Sequence, residues 1–215
     1  MLKEKAKIAN LHYLYADLPE EKAHKKASRR LSKLGYELDK KNTNKDVLTA
    51  TKGDNVHINY SGTNIRNPRD IISDVALATG VQRINPQFRE RRQKTRSIMR
   101  EYGDNKDYTL GGHSLGGSIA LNNVSQSKSI RDRVSKVDVF NSGYTLPFHN
   151  SIKPTDKKVK RQLDTKVNIH RVKKDIVSAH ANKETAFGNL FEYNSDKDAD
   201  LLEKHSLDTF TNSDL

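Results

Sequence analysis

Apolar residues in the first 35 positions recur at the spacing of helix faces. A weak stripe at intervals of three and four residues is formed by Ile8, Leu11, Tyr15 and Leu18. A second helix is marked more clearly, because Pro19 suits a first helical turn and Gly35 suits the position just beyond a last turn. The basic side chains on this second helix, Lys22, Lys25, Lys26, Arg29 and Arg30, are predicted to face solvent rather than to form a binding site.

After Gly35 the spacing changes to that of strands and then alternates between strands and helices. Two alternating runs, 46–52 and 55–62, are separated by Gly53-Asp54, which is typical of a tight turn between paired strands. Further along, the pattern predicts helices over 68–78, 86–102 and from about 114, strands over 108–111, 135–142, 165–172 and 189–193, and a polar loop over about 145–164. Strands separated by helices imply an α/β fold with a mostly parallel central sheet flanked by helices.

The length of 215 residues is most simply that of one domain, since chains usually divide only beyond roughly 250–300 residues. Residues 1–45 are expected to form a helical extension packed on that domain. Only 33% of the residues are hydrophobic, so few side chains are available to form the core. The absence of cysteine excludes disulfides, thiolate zinc sites and a cysteine nucleophile.

The chain is strongly basic, with 39 Lys and Arg against 27 Asp and Glu and a formal net charge of +12. The excess lies in residues 1–45, 82–106 and 151–175, whereas residues 176–215 are acidic. This distribution favours an anionic partner, either nucleic acid or a negatively charged lipid surface, although a solvated basic surface explains it equally well. No apolar run near the N-terminus is long enough for a signal peptide or a membrane span, which predicts an intracellular or virion-associated protein.

The sharpest chemical signal is the run GGHSLGG, residues 111–117. Its segment Gly112-His113-Ser114-Leu115-Gly116 matches G-x-S-x-G, the nucleophile elbow, in which a serine sits on a strained turn between a strand and a helix. Residues two before and two after the serine lie against each other in such a turn, so side chains there would clash. A strand is predicted before the motif and a helix after it, as the elbow requires. The rival interpretation is a glycine-rich turn without catalytic use.

An elbow serine needs a histidine base and a carboxylate that orients it, in the chain order Ser, Asp or Glu, His. Of the histidines that follow the serine, His170 lies inside a predicted strand and is expected to point into a face of the sheet. His149 precedes most candidate acids, and His180 follows the favoured acid too closely. His205, near the C-terminus, is therefore the candidate base.

The candidate acid is Asp175, which directly follows the strand predicted over 165–172. The carboxyl ends of parallel strands are where ligands and catalytic groups collect in open α/β sheets. Rival acids lie in a turn-like acidic cluster formed by Asp196, Asp198 and Asp200. Asp175 could also do no more than end its strand.

With these residues in place, the chain resembles the class 3 lipases, α/β hydrolases that include fungal triacylglycerol lipases and related phospholipases. The resemblance rests on segments in the family's order: NYSGTNIRNPRDIISDV (59–75), GGHSLGGSIA (111–120), VDVFNSG (137–143), RVKKDIVS (171–178) and HSLDTF (205–210). Two segments depart from the family pattern. Ile176-Val177-Ser178 replaces Pro-Val-Pro, and Phe140-Asn141-Ser142-Gly143 replaces Phe-Gly-x-Pro.

The resemblance implies an α/β-hydrolase fold and a triad of Ser114 as nucleophile, Asp175 as orienting acid and His205 as base. It also implies an oxyanion hole formed by the backbone amides of Leu115 and Thr63. The short chain, which lacks tryptophan, indicates a small or absent lid.

Together these residues predict a serine ester hydrolase of the lipase or phospholipase type that forms an acyl-enzyme and needs neither a metal nor an organic cofactor. The expected substrate is a lipid or another acyl ester, and the basic charge is interpreted as contact with an anionic membrane surface. Two alternatives stay open: a non-catalytic basic binding module on a hydrolase scaffold, and an acyltransferase that uses the same triad. Nucleic acid is disfavoured because few aromatic residues interleave the basic segments. The sequence does not indicate an oligomeric state.

Overall fold

The structure is a computed structural model, and it describes residues 2–62, 86–143, 152–175, 178, 187–195 and 199–212. The helix predicted over 68–78 and any lid near it lie outside these residues. The described strands are β1 (Glu37–Leu38), β2 (Val47–Lys52), β3 (Asn55–Tyr60), β4 (Asp107–His113), β5 (Val134–Phe140), β6 (Val167–Val172) and β7 (Asn189–Tyr193). The described helices are α1 (Leu2–Leu11), α2 (Leu14–Asp17), α3 (Glu20–Ser32), α4 (Pro86–Tyr102), α5 (Leu115–Gln126), α6 (Lys128–Arg131), α7 (Lys157–Lys166), α8 (Leu201–His205) and α9 (Asp208–Asn212).

The strands form one sheet in which each strand lies next to its neighbours in chain order. β1, β2 and β3 pair antiparallel, and β3 to β7 pair parallel. The turn predicted at Gly53-Asp54 joins β2 to β3, and Gly53 has the positive φ of 58° that favours glycine there. The predicted α/β-hydrolase class is thus confirmed at the level of architecture: a mostly parallel sheet flanked by helices.

One face of the central strands is mainly apolar. On β3 to β6 it carries Val56, Ile58, Leu110, Val139 and Ile169, all buried in the largest core cluster. Right-handed crossovers between strands in sequential order bring the connecting helices to a single face. Phe88 and Ile98 of α4 and Leu121 of α5 belong to this same cluster, so these helices cover the apolar face.

The opposite face is polar and yet buried. It presents His57, Thr109, Asp138 and His170, each of which is at most 6% exposed. The N-terminal helix α1 covers this face, and the Nζ atom of Lys5 lies 3.4 Å from Nδ1 of His57. His170 therefore points into a face of the sheet, as predicted.

The N-terminal helices pack on the sheet through a second core cluster. In that cluster Ile8 and Leu11 of α1 and Leu31 of α3 meet Leu48 and Ala50 of β2. The predicted N-terminal stripe is largely buried, but it runs over two helices, α1 and α2, rather than along one. The basic side chains of α3 are exposed as predicted. Among the described helices, none has both the length and the apolar character needed to cross a membrane.

The prediction of a polar loop over 145–164 is wrong in its second half, because α7 begins at Lys157. Leu163 is the one buried side chain of this helix, so the apolar pattern that marks a helix is nearly absent. Local polar contacts support it instead. The Asp156 carboxylate accepts a hydrogen bond of 2.7 Å from the Lys158 amide at the N-terminus, and Lys160 pairs with Asp164 one turn later.

Candidate active site

Ser114 lies on a sharp turn between β4 and α5, as the elbow motif predicts. Its backbone angles are φ 56° and ψ −127°, a conformation that costs a non-glycine residue on the order of 1–3 kcal/mol. The Ser114 amide donates to the carbonyl of Phe140, and the Ser114 carbonyl accepts from the amides of Ser118 and Gly143. These bonds hold the strained turn at the carboxyl edge of the sheet, with Ser114 only 2% exposed.

Close backbone contacts explain the two motif glycines. A Cβ atom on Gly112 would lie 2.4 Å from the carbonyl carbon of Gly116, and a Cβ atom on Gly116 would lie 2.2 Å from the Tyr60 oxygen. Both distances are far below van der Waals contact. The elbow therefore packs directly against the end of β3. There a Cβ on Gly62 would lie 2.7 Å from the His113 oxygen and 3.3 Å from Ser114 Cβ.

Asp175 and His205 form a buried pair beside the elbow. Their side chains are 0% and 6% exposed, and His205 Nδ1 lies 2.8 Å from Asp175 Oδ1. Asp175 follows β6, and His205 ends α8, thirty residues further along the chain. The two residues predicted as acid and base are thus in direct contact.

The second carboxylate oxygen of Asp175 is held by Ser178. Oδ2 accepts a hydrogen bond of 2.8 Å from the Ser178 amide and a short one from the Ser178 hydroxyl. Burial opposes ionisation of Asp175, but the bonds from His205 and Ser178 outweigh it and lower the pKa of this carboxyl below its ordinary value. The departure from Pro-Val-Pro at 176–178 therefore brings a hydroxyl donor to the acid.

His205 and Ser114 meet at the same edge of the sheet. The ring of His113, next to the serine, lies 4.7 Å from the His205 ring between centroids. Within the described residues, no hydrogen bond joins the Ser114 and His205 side chains. Such bonds are often long in unliganded sites and shorten when substrate binds. The structure therefore joins His205 to Asp175 directly, and to the elbow through the ring of His113.

The rival residues lie elsewhere or outside the described chain. His170 is stacked between Phe140 and Phe191, and its Nε2 lies 3.4 Å from Asp138 Oδ1. The carboxylate of Asp200 accepts a hydrogen bond from the Glu203 amide at the start of α8. The described residues do not include His149, His180, Asp196, Asp198 and Thr63.

Three further residues surround the pair: His113, which sequence reasoning assigned only to the elbow motif, and Tyr13 and Asn141, to which it gave no place in the site. Tyr13 Oη lies 2.5 Å from His113 Nδ1, and His113 Nε2 lies 2.6 Å from the His205 carbonyl oxygen. The Asn141 amide group donates to the His205 carbonyl at 3.1 Å, and its oxygen accepts from the Val172 amide at 2.8 Å. Asn141 has a positive φ of 41° at a point where the family motif has glycine. Asparagine tolerates positive φ, so an asparagine at the glycine position of the motif was the sign in the sequence of an unusual backbone here.

A cavity of about 450 Å³ adjoins the elbow. Its walls include Leu115 from α5, Gly62 after β3, Tyr13 from the N-terminal helices and Arg91 from α4. Arg91 is held by Asp46 at 3.0 Å and by Ser61 at 3.2 Å. Among the described residues, no three His, Asp or Glu side chains are grouped as a metal site would require.

Comparison with known proteins gives no match in sequence and a weak similarity in structure. No protein-family model matches the chain, and no curated protein matches it in sequence. Among solved structures, a lipase from Rhizopus microsporus var. chinensis is similar, with a TM-score of 0.46 at 14% sequence identity. The similarity covers 82% of this chain and 66% of that lipase, so the chain spans just under two thirds of the lipase's length.

Proposed function

We propose that this protein is a serine ester hydrolase of the class 3 lipase type, with Ser114, His205 and Asp175 as its catalytic triad. The observation that carries the proposal is the buried Asp175–His205 pair beside a serine held on a strained strand-to-helix turn. A glycine-rich turn without catalytic use would need neither a buried carboxylate–histidine pair nor a strained serine next to it. The fold alone implies no particular chemistry.

In the first half-reaction, Ser114 Oγ attacks the ester carbonyl while His205 Nε2 takes the hydroxyl proton. The Asp175 carboxylate accepts from His205 Nδ1–H, which keeps Nε2 free to act as the base and stabilises the imidazolium that forms. His205 then gives the proton to the leaving alcohol as the bond from the acyl carbon to the alcohol oxygen breaks. The product of this step is an acyl ester of Ser114.

In the second half-reaction, water takes the place of the alcohol. His205 removes a proton from the water as its oxygen attacks the acyl carbon, and the proton passes to Ser114 Oγ as the acyl bond breaks. The free carboxylic acid leaves and the serine is restored. An alcohol in place of water would give acyl transfer by the same steps, so the two activities differ in the acceptor and not in the machinery.

The oxyanion of each tetrahedral intermediate is assigned to the amides of Leu115 and Thr63. Leu115 is the first residue of α5, where a helix leaves its amides without intrahelical partners. Gly62, the residue before Thr63, packs against the elbow within reach of Ser114. A preorganised donor of this kind contributes about 2.7–4 kcal/mol to acyl transfer.

The proposed substrate is an acyl ester of a lipid. The cavity of about 450 Å³ beside Leu115 is in the size range of small-molecule sites. The exposed basic face of α3, made by Lys22, Lys25, Lys26, Arg29 and Arg30, would attract an anionic lipid surface. With Lys25→Gln and Arg29→Gln combined, we expect slower hydrolysis of lipid in anionic vesicles and unchanged hydrolysis of a soluble ester. Equal rates on neutral and anionic vesicles would contradict this assignment.

The test of the proposed function is hydrolysis of a short p-nitrophenyl acyl ester by the wild type and by Ser114→Ala, His205→Ala and Asp175→Asn. We expect the serine and histidine variants to lose nearly all activity while retaining the far-UV circular dichroism of the wild type. Ser125→Ala is the matched control, because Ser125 lies on the helix that follows Ser114 and its hydroxyl donates to the Asn122 carbonyl of that helix. Wild-type turnover in Ser114→Ala would refute the proposal. Product analysis with added alcohol separates hydrolysis from acyl transfer.

A further inference from the structure

Two short hydrogen bonds connect the N-terminal helices to the proposed base. Tyr13 lies between α1 and α2, and its hydroxyl is 2.5 Å from Nδ1 of His113. The other ring nitrogen of His113, Nε2, is 2.6 Å from the backbone carbonyl oxygen of His205. Residues about one hundred positions apart are thereby joined in one chain of contacts. Neither Tyr13 nor the His113 ring has a part in the mechanism described above.

The His205 carbonyl determines which atoms of Tyr13 and His113 carry the hydrogens in these two bonds. A carbonyl oxygen only accepts, so His113 Nε2 must carry a hydrogen and donate it. Burial, reinforced by the nearby His205, lowers the pKa of His113 to about 3, so the ring is neutral and its Nδ1 has no hydrogen. Burial raises the pKa of the Tyr13 phenol above its ordinary value, so the hydroxyl is protonated. Tyr13 therefore donates to His113, and His113 donates to His205.

The segment that receives these bonds is weakly held by its own structure. His205 ends α8, a helix of five residues, and helices this short are unstable alone in water. Its carbonyl is held by His113 and by Asn141, and its ring by Asp175. These contacts from outside the helix therefore determine the position of the His205 imidazole.

Helix α1 supports the same segment through apolar packing. Ala6 and Ala9 of α1 share a core cluster with Leu207 and Phe210, which directly follow His205 in the chain. Tyr13 therefore follows, by two residues, a helix that is packed against the segment that carries His205. This makes the N-terminal helices part of the proposed site rather than only a cover for the sheet.

We propose that Tyr13 and His113 are positioning residues that hold the His205 backbone, and through it the His205 imidazole, in place for Ser114. The proposal rests on the proposed ester hydrolase function. Without the Tyr13 hydroxyl, His113 Nδ1 is a buried acceptor with no partner. The His113 ring is then held at Nε2 alone and can turn in its place, so its bond to the His205 carbonyl no longer fixes the His205 backbone.

The kinetic test compares Tyr13→Phe with Tyr102→Phe. Tyr102 is the matched control because its hydroxyl donates one hydrogen bond of 2.8 Å, to Asp39, and has no place in the site. We expect both variants to lose a similar amount of thermal stability. Only Tyr13→Phe should lower kcat, by about 10- to 100-fold, since small displacements of a catalytic group have effects of this size. KM for a short soluble ester should change less than threefold.

A second arm uses NMR of isotope-labelled histidine rings and does not depend on activity. In the wild type, His113 should be the neutral Nε2–H tautomer near neutral pH. In Tyr13→Phe the signal of the unprotonated His113 Nδ1 should shift because it loses its donor, and the His205 proton shared with Asp175 should shift too, whereas Tyr102→Phe should leave both signals unchanged. Unshifted signals in Tyr13→Phe, or a kcat no lower than that of Tyr102→Phe, would overturn the proposal.

The two arms separate this proposal from the proposed function. If the wild type hydrolyses no ester, the proposed function is wrong, and the NMR arm still decides whether Tyr13 sets the state of His113 and the position of His205. His113→Gln provides a check by partial restoration, because its side-chain amide can donate to the His205 carbonyl and accept from Tyr13. We expect it to retain more activity than His113→Leu. Equal kcat values for these two variants would count against the positioning role.

Discussion

Stability should fall steeply as the pH is lowered from neutral to about 5, because three histidines are buried in their neutral form. His12, His57 and His113 are all at most 6% exposed. Burial is the main reason that the pKa of His12 is lowered to about 4 and that of His113 to about 3. Burial, together with the nearby Lys5, places the pKa of His57 well below its ordinary value.

The sign follows from proton uptake on unfolding. In the unfolded chain each histidine has a pKa of about 6.5, so below that pH the unfolded state binds protons that the folded state excludes. Between about pH 6.5 and pH 5, His12 and His113 each lower the free energy of unfolding by about 2 kcal/mol, at about 1.36 kcal/mol per pH unit. Together they lower it by about 4 kcal/mol, and His57 acts in the same direction, against a typical total of about 5–15 kcal/mol.

The assay is urea unfolding followed by far-UV circular dichroism at several pH values between about 7.5 and 5. His12→Gln is the informative variant, because its side-chain amide can keep the bond that His12 Nε2 makes to the Lys45 carbonyl. His12→Gln should reduce the loss of stability between about pH 6.5 and pH 5 by about 2 kcal/mol. A free energy of unfolding that stays constant over this range, or a slope unchanged in His12→Gln, would refute the reasoning.

Three further substitutions test the site. Gly116→Ala should lower the free energy of unfolding by about 3 kcal/mol or more in thermal or urea unfolding, because the new Cβ would lie 2.2 Å from the Tyr60 oxygen; near-wild-type stability would contradict the elbow packing. Asn141→Gly should keep the left-handed backbone yet lower kcat, because the ties to the His205 segment are lost; an unchanged kcat would show that those ties do not matter. Ser178→Ala should raise the pKa of Asp175 and move the acidic limit of ester hydrolysis to higher pH, since a donor to the carboxylate is removed; an unshifted pH profile would count against it.

The fold was predictable where the sequence shows the apolar spacing of a helix or strand, or the residues of a tight turn. The turn at Gly53-Asp54, the helix over 86–102 and the strands that flank the elbow each have local signals, and all are confirmed. The helix over 157–166 was not predictable, because a single buried leucine gives no apolar stripe. The burial of His57 and Asp138 was not predictable either, since polar residues on alternate strand positions normally indicate a solvated face. That face is buried because α1 returns over it.

The candidate site likewise contains residues that the sequence predicted and residues that it did not. Ser114 was predictable because the turn needs glycine at both Gly112 and Gly116, which leaves a mark in the sequence. Asp175 and His205 were reached from strand order and chain order, and the structure brings them into contact. No local sequence pattern indicates a role for Tyr13, because its partner His113 lies one hundred residues away and the contact depends on how α1 crosses the sheet.

The central claim, that Ser114 is a nucleophile activated by His205, is tested most directly by labelling the folded protein with a fluorophosphonate and locating the adduct by mass spectrometry. A phosphonyl group on the peptide that contains Ser114 is the predicted result, with labelling lost in Ser114→Ala, strongly slowed in His205→Ala and unchanged in Ser125→Ala. Labelling of a different serine, or no adduct on Ser114 in protein shown to be folded, would contradict the account.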